Sequence, residues 1–482
     1  MLYGVLAVVV LLIGSGCAVG PDYERPVVKT PDSFSHDHQS DFSSLANLGW
    51  WEVFQDEYLQ SLIRKALVEN NDLKKAIARV REVKAQLGVV RSDQFPTIEG
   101  GAGFERNQTS GAPARKFGVD EGDQEGPTTS QWKAAGSLAF EIDLWGKLRR
   151  ATEAAQADVL AEEWARRSIL LTLVGDIAQA YFELLELDSE LAIAQLTLRT
   201  REKSLEIIRL RTFMAQSSTL DTRRAEQEVV RARAQIPTLE RQIVQKENQI
   251  SLLIGRNPGP IIRGKALVEQ PLPPEVPAGL PSALLERRPD IVEAENRLVA
   301  ANAQIGVAKA AFFPQIDLTG EWGAQSLAFA DLFSGFARIW TLGPVIKVPL
   351  FNAGRLRSDL EVREAQQEQA LITYTQTIQQ AFREVEDALI AHQKNREVRV
   401  ALTKLLDVSR EAWELATLAY LNGKIPYLDV LVAQREVFNA EIALAQIIRD
   451  QRLAVVQLYK ALGGGWEPES TSVEIAKHVE HP

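Results

Sequence analysis

The chain has 482 residues, with 54 Lys or Arg against 64 Asp or Glu, a net charge of −10 and a hydrophobic fraction of 45%. That acidic balance speaks against nucleic acid as a partner, because phosphate binding needs clustered positive charge. The single cysteine excludes a disulfide framework and a thiolate metal cluster, and five histidines leave little for catalysis.

From the N-terminus, Leu2 to Ile13 are almost continuously apolar, the right length for a signal-peptide core. Beyond them no window of about 18 apolar residues stands out, so internal transmembrane helices are not expected. Small residues 14–16 lead to Cys17, an arrangement that resembles a bacterial lipobox, whose thiol takes a diacylglycerol after cleavage of residues 1–16. No basic residue precedes the core and Gly14 replaces the usual leucine, so a plain secretory signal is the alternative. Ala18 follows the cysteine, where an aspartate would signal retention at the inner membrane.

The rest reads as one unit written twice. Shifted by 218, Asp72–Ile98 falls on Asp290–Ile316 without a gap and with ten identities in 27 positions, including Ala85/Ala303, Gly88/Gly306, Phe95/Phe313 and Pro96/Pro314. Further on the shift becomes 208, pairing Gly146-Lys-Leu-Arg149 with Gly354-Arg-Leu-Arg357, and Leu220-Asp221 with Leu428-Asp429. The difference falls mostly in a Gly/Pro/Asp-rich loop over 108–130. The expected organisation is a lipid-anchored extended segment over 17–55, a first repeat over 56–262, a linker over 263–281, a second repeat over 282–465 and a polar tail over 466–482.

Each repeat predicts two kinds of element. Between Gly354 and Gly423 lie 68 residues without glycine or proline, which predicts a helical rod on the order of 100 Å long. Leu371, Tyr374, Ile378, Ala381, Val385 and Ala388 give it the seam spacing of packed coiled helices. A tight turn and a helix of about half that length follow, and the stretch after Gly146 does the same. Short alternating segments at 137–144, 315–322, 342–350 and, more weakly, after Pro96 present one apolar and one polar face. That pattern suits membrane-barrel strands and equally a soluble sheet on a helical core; behind a lipobox the barrel is favoured. Four strands cannot close a barrel, so copies must assemble, and three would supply twelve strands.

The ordered motifs Cys17–Pro26, Trp50-Trp-Glu-Val-Phe54, Glu69-Asn-Asn-Asp-Leu73, Glu286-Arg-Arg-Pro-Asp290, Phe312-Phe-Pro314 and Pro349–Arg355 give the identity of the unit. Together they resemble the TolC-like outer-membrane factors, in the lipoprotein branch that includes OprM and NodT. The resemblance implies an α+β membrane protein, a homotrimer with a twelve-stranded β-barrel in the outer membrane continued by a twelve-helix periplasmic tunnel. It implies a passive exit duct, not an enzyme, serving a periplasmic adaptor and an inner-membrane transporter of the resistance-nodulation-division (RND) type. No cofactor is implied beyond the covalent lipid on Cys17.

Residue by residue, Pro96 and Pro314 hand helix over to strand, since proline disfavours a helical residue before it, and Gly146 and Gly354 return strand to helix. The Trp50–Trp51 pair is expected as a buried anchor outside the helical tube. The gate is expected at turns 211–221 and 419–429, with Asp221 and Asp429 forming acidic positions and Tyr420 bonded to Asp221; a plain helix-capping role for the two aspartates is the alternative. Val432 replaces an aspartate often found in relatives, so a second carboxylate ring is not expected, and Ile425 stands where the best-known relative has an arginine, so that lock is not expected either. A periplasmic coiled-coil adaptor or scaffold lipoprotein is the rival function; it would lack the four amphipathic strands. His36, His38, His478 and His481 lie in polar tails and read as solvated, and no Walker, HExxH or GxSxG motif is present.

Overall fold

The computed structural model describes residues 18–31, 34, 49–109, 128–270 and 284–464. Cys17, the signal segment, the four terminal histidines and the polar tail lie outside the described residues. Each repeat begins with a 22-residue helix, α3 (Asn71–Ser92) and α7 (Pro289–Ala310), preceded in the first copy by α1 (Trp50–Val53) and α2 (Glu57–Glu69) and in the second by α6 (Leu284–Arg287). Strand β1 (Thr97–Gln108) pairs with β2 (Thr128–Glu141), and β3 (Gln315–Ser326) with β4 (Arg338–Lys347). Then come 67-residue helices, α4 (Lys147–Phe213) and α8 (Arg355–Leu421), and 35-residue helices, α5 (Thr219–Leu253) and α9 (Tyr427–Ala461). The bounds of α3 and α7 differ by 218, and those of α4/α8 and α5/α9 by 208, the two shifts the sequence carries.

The chain divides into two compact units, and neither is one repeat. The first takes residues 1–26, 80–161 and 294–374, and contains the sheet. Its four strands form one antiparallel meander in the order β1-β2-β3-β4, so two hairpins far apart in sequence share the β2–β3 ladder. The register aligns even with even and odd with odd positions across all four strands. One face carries the rows Ile98–Leu138–Gly320–Leu342 and Gly100–Gly136–Trp322–Trp340; the other carries Glu99–Ser137–Glu321–Thr341 and ion pairs Lys133–Glu321 and Lys347–Asp317. Trp322 and Trp340 are about three-quarters exposed, at 75% and 74%, on that apolar face. β2 and β4 begin earlier than the alternation predicts and stop before 144 and 350. Ile142 still donates to the Ile316 carbonyl, after which Leu144 turns back on Ile142 to enter Gly146.

The second unit takes 27–79, 162–293 and 375–482 and holds the main core. Leu59 and Ile63 of α2, Ile177, Tyr181 and Leu184 of α4, Ile250 of α5, Val385 of α8 and Val456 of α9 are buried there together. Each such side chain contributes about 1.5–3 kcal/mol. One correction arises in α4: it contains an 18-residue stretch apolar enough to cross a membrane by length and composition, which the sequence reading missed. That stretch is 61% buried, so its hydropathy reflects the core. The tryptophan pair also divides: Trp50 packs against this core, whereas Trp51 is half-exposed, edge-on to it at 5.6 Å.

Two family motifs explain themselves here. Asn70 caps α3 by accepting from the Leu73 amide and donates Nδ2 to the Leu253 carbonyl, 2.8 Å away, at the end of α5. Its counterpart in the second copy, Arg288, donates to the Ala461 carbonyl at the end of α9, 3.1 Å away, and pairs with Asp290 and Glu384. Different side chains thus satisfy the same orphan carbonyl in each repeat.

Candidate functional site at the helix turns

The turns joining α4 to α5 and α8 to α9 are built alike. In the first, Gln216 donates to the Arg211 carbonyl and Ala215 to that of Thr212; in the second, Lys424 donates to Ala419 and Gly423 to Tyr420. These paired bonds close each helix on a left-handed residue, and that residue is Gly423 (φ 72°) in one turn but Ala215 (φ 59°) in the other. A compact cluster ties the two hairpins together: Leu205, Ile208, Ala225 and Val229 from the first pack with Tyr420, Tyr427, Val430 and Leu431 from the second. Ile425 packs against it, so this side chain is used for packing.

The two aspartates do different work. Asp221 completes a capping box: its carboxylate accepts from the Ser218 amide, and the Ser218 hydroxyl accepts from the Asp221 amide at 3.1 Å. The second turn has Pro426 at the cap, which offers no side-chain acceptor. Asp429 is exposed; its amide donates to the Pro426 carbonyl at 3.2 Å, but among the described residues its carboxylate has neither a hydrogen bond nor an ion pair. Tyr420 does not bond Asp221 directly. Its hydroxyl lies 3.2 Å from the Ser217 hydroxyl, which itself donates to Asp221 Oδ2 at 3.2 Å; with the serine proton so engaged, Tyr420 is the donor of the first link.

Three further features carry no motif. Arg211 spreads over the Tyr420 ring and donates to the Leu421 carbonyl at 3.4 Å. Deeper in, buried Glu228 of α5 meets Arg201 of α4 at 3.1 Å, Arg231 at 2.6 Å and Arg435 of α9 at 3.3 Å. Burial pushes the Tyr427 phenol up to about 12, aided by Tyr420 and Asp221, so it stays neutral at physiological pH. Glu228 alone left a trace in sequence: Asp221, Ala225 and Glu228 step along one helix face. Val432 is half-exposed.

The hand-over residues sit where helix meets strand. Pro96 and Pro314 immediately precede β1 and β3, and Gly146 (φ 78°) and Gly354 (φ 85°) immediately precede α4 and α8. Trp145 stacks on Phe313 at 4.7 Å and donates to the Pro314 carbonyl at 2.9 Å, locking the second of these junctions.

Comparison with known proteins gives this arrangement its family. The outer membrane efflux protein family profile matches residues 62–256 and again 280–464. The chain belongs to the outer membrane efflux protein family. It is 33% identical over 463 residues to the cation efflux system protein CusC of Escherichia coli, covering 95% of this chain and 98% of that one. It is 37% identical over 465 residues to the solvent efflux pump outer membrane protein SrpC of Pseudomonas putida, covering 95% and 97%. Among solved structures, the open-state MtrE channel of Neisseria gonorrhoeae superposes with a TM-score of 0.83 at 32% identity, covering 93% of this chain and 98% of that one. As an outer membrane efflux protein the chain is a passive exit duct and not an enzyme, with its sheet in the outer membrane and its helices in the periplasm. The rival adaptor reading fails on the four-stranded amphipathic sheet.

Proposed function

We propose that this duct is a homotrimer that receives its cargo from a periplasmic adaptor and an RND-type inner-membrane transporter. The observation that supports the trimer is the sheet itself. Its apolar face is open, and β1 and β4 leave unpaired backbone on both edges. In lipid each unpaired group costs several kcal/mol, which edge-to-edge closure of three sheets removes. Twelve strands and twelve helices result, and Cys17 carries the acyl anchor.

The helix turns are the gate in this reading. Asp429, exposed and unpartnered, repeats three times about the axis as an acidic ring that favours cations at the closed entrance. Asp221, Ser217 and Tyr420 hold the two hairpins in that closed register. Relatives named for cation and solvent efflux match nearly the whole chain; cargo choice accordingly rests with the transporter that loads the duct.

The test is single-channel conductance of the detergent-purified protein in a planar bilayer, with its mass measured in parallel. A trimer with small, cation-selective conductance is expected. A monomer or dimer without conductance would remove the reading.

A further inference from the structure

The two hairpin loops of the duplicated unit have opposite chemistry. The first is rich in Gly, Pro and acidic residues, whereas residues 327–337 read Leu-Ala-Phe-Ala-Asp-Leu-Phe-Ser-Gly-Phe-Ala. Leu327, Phe329, Phe333 and Phe336 of this second loop are largely exposed, while Leu332 and Ala337 are buried beneath them. The exposed rings continue an aromatic run on the apolar face of the sheet: Phe104–Trp132 at 4.5 Å, Trp132–Phe329 at 5.0 Å and Phe329–Phe333 at 6.0 Å. Four backbone amides are satisfied within the loop: those of Asp331, Leu332, Ser334 and Ala337 donate to the carbonyls of Ala328, Phe329, Asp331 and Ser334. Its exposed rings suit the boundary between headgroups and acyl chains, where the remaining backbone groups can still meet water.

Charge appears on the same face at the same end. The register row Ala102–Ala134–Ala324 ends on Arg338, and Arg106 stands on that face near the end of β1. Both arginines are exposed, and among the described residues neither guanidinium has a hydrogen bond or ion pair. Asp331 is the one carboxylate in the loop, and it too is exposed. This end of the sheet lies opposite the helix junctions and so faces the outside of the cell. Closing copies edge to edge brings a β1 edge carrying Arg106 against a β4 edge carrying Arg338.

We propose that loop 327–337, with Arg338 and Arg106, seats a phosphate-bearing lipid of the outer leaflet. The phenylalanines enter its acyl chains, and the guanidiniums bind the headgroup phosphate by charge-assisted hydrogen bonds. This rests on the membrane-spanning reading of the sheet. The occupant follows from the patch being continuous with the lipid-facing surface and from its positive charge.

The test is native mass spectrometry of the assembled channel titrated with bis-phosphorylated hexa-acyl lipid A, with the same lipid stripped of phosphate, and with inorganic phosphate. Arg106→Gln/Arg338→Gln should weaken binding of the phosphorylated lipid by about tenfold or more, the scale of one or two charge-assisted contacts. The phosphate-free lipid should not distinguish variant from parent. Arg106→Lys/Arg338→Lys should restore most of the binding, and Phe333→Ser/Phe336→Ser should weaken both lipids. Equal binding by the glutamine variant and the parent would overturn the proposal. So would displacement of the lipid by inorganic phosphate, which would mean a free-anion site, or paired channels that the serine variant separates, which would mean a second copy as occupant. Conductance of each variant, expected at the parent level, separates failure of the lipid site from failure of the channel.

Discussion

Arg211 lies over the ring of Tyr420, its guanidinium carbon 5.1 Å from the ring centroid, so the first helical hairpin grips the second at the level of the turns. Its bond to the Leu421 carbonyl fixes the same grip to backbone. A contact of this kind is worth about 0.5–2 kcal/mol. If the turns gate the entrance as proposed, Arg211→Ala should raise its open-to-closed ratio by roughly 2- to 30-fold. Single-channel recordings would show longer residence in the high-conductance state; unaltered dwell times would mean that the cluster around Tyr427 holds the turns by itself.

The two aspartates should separate in a pair of variants. Asp221→Ala removes half of a capping box and should lower stability by about 0.5–2 kcal/mol. Asp429→Ala removes no side-chain bond present among the described residues, so on the proposed gate it should leave thermal unfolding unchanged while reducing cation selectivity of the closed channel. Circular dichroism melts and reversal potentials, run on both proteins, decide the matter. A large melting shift in the Asp429 variant would show that its role is structural.

The duplication, the rods and the two faces of the sheet were legible because each rests on a local period or a direct identity. β1 was the weakest strand in sequence, since Gly100, Gly101 and Gly103 have little strand preference; pairing along the whole of β2 supplies what they lack. Glu228 and Arg435 stand 207 residues apart, and no spacing rule reaches that far. The Tyr420 contact was misassigned for a similar reason. Ser217 intervenes, and a serine in a turn is too common to single out.

Glu186 of α4 predicts a pH dependence. Burial pushes its carboxyl up to about 7; Arg449 draws it down and Glu190 raises it further. Relative to an ordinary glutamate at 4.5, the folded chain holds this proton more tightly than the unfolded one. The associated stability is thus full below pH 4.5 and is lost as pH rises through 7, at most about 3 kcal/mol per chain. Glu186→Gln should melt progressively higher than the parent between pH 5 and pH 8. Melting curves that stay parallel across that range would mean that Arg449 keeps Glu186 ionised throughout.

Gly146 and Gly354 share a left-handed backbone but not a neighbourhood. A Cβ on Gly146 would meet Ala18 at 2.7 Å, whereas one on Gly354 meets nothing within 4 Å. Gly354→Ala should cost about 1–2 kcal/mol, the left-handed penalty alone. Gly146→Ala should cost more, because Ala18 must move and with it the bond from the Val19 amide to the Trp145 carbonyl, 2.9 Å long. Thermal melts of the two variants give the ranking, and equal losses would show that the N-terminal segment yields freely.

The sheet makes the sharpest demand, because adjacent residues of β4 face opposite media. Leu342 lies in the row Ile98–Leu138–Gly320–Leu342, and Thr341 in the row Glu99–Ser137–Glu321–Thr341. Leu342→Arg places a charge against hydrocarbon, at about 2–4 kcal/mol near the bilayer midplane. Thr341→Arg places the same charge beside Glu321 on the polar face, where water and carboxylate receive it. Refolding into phospholipid vesicles should fail or slow for the first and proceed for the second, read as the fraction of detergent-resistant oligomer on an unheated gel. If both refold alike, the apolar face is covered by protein rather than lipid. The unpaired edges of β1 and β4 would then have to be satisfied by something other than barrel closure.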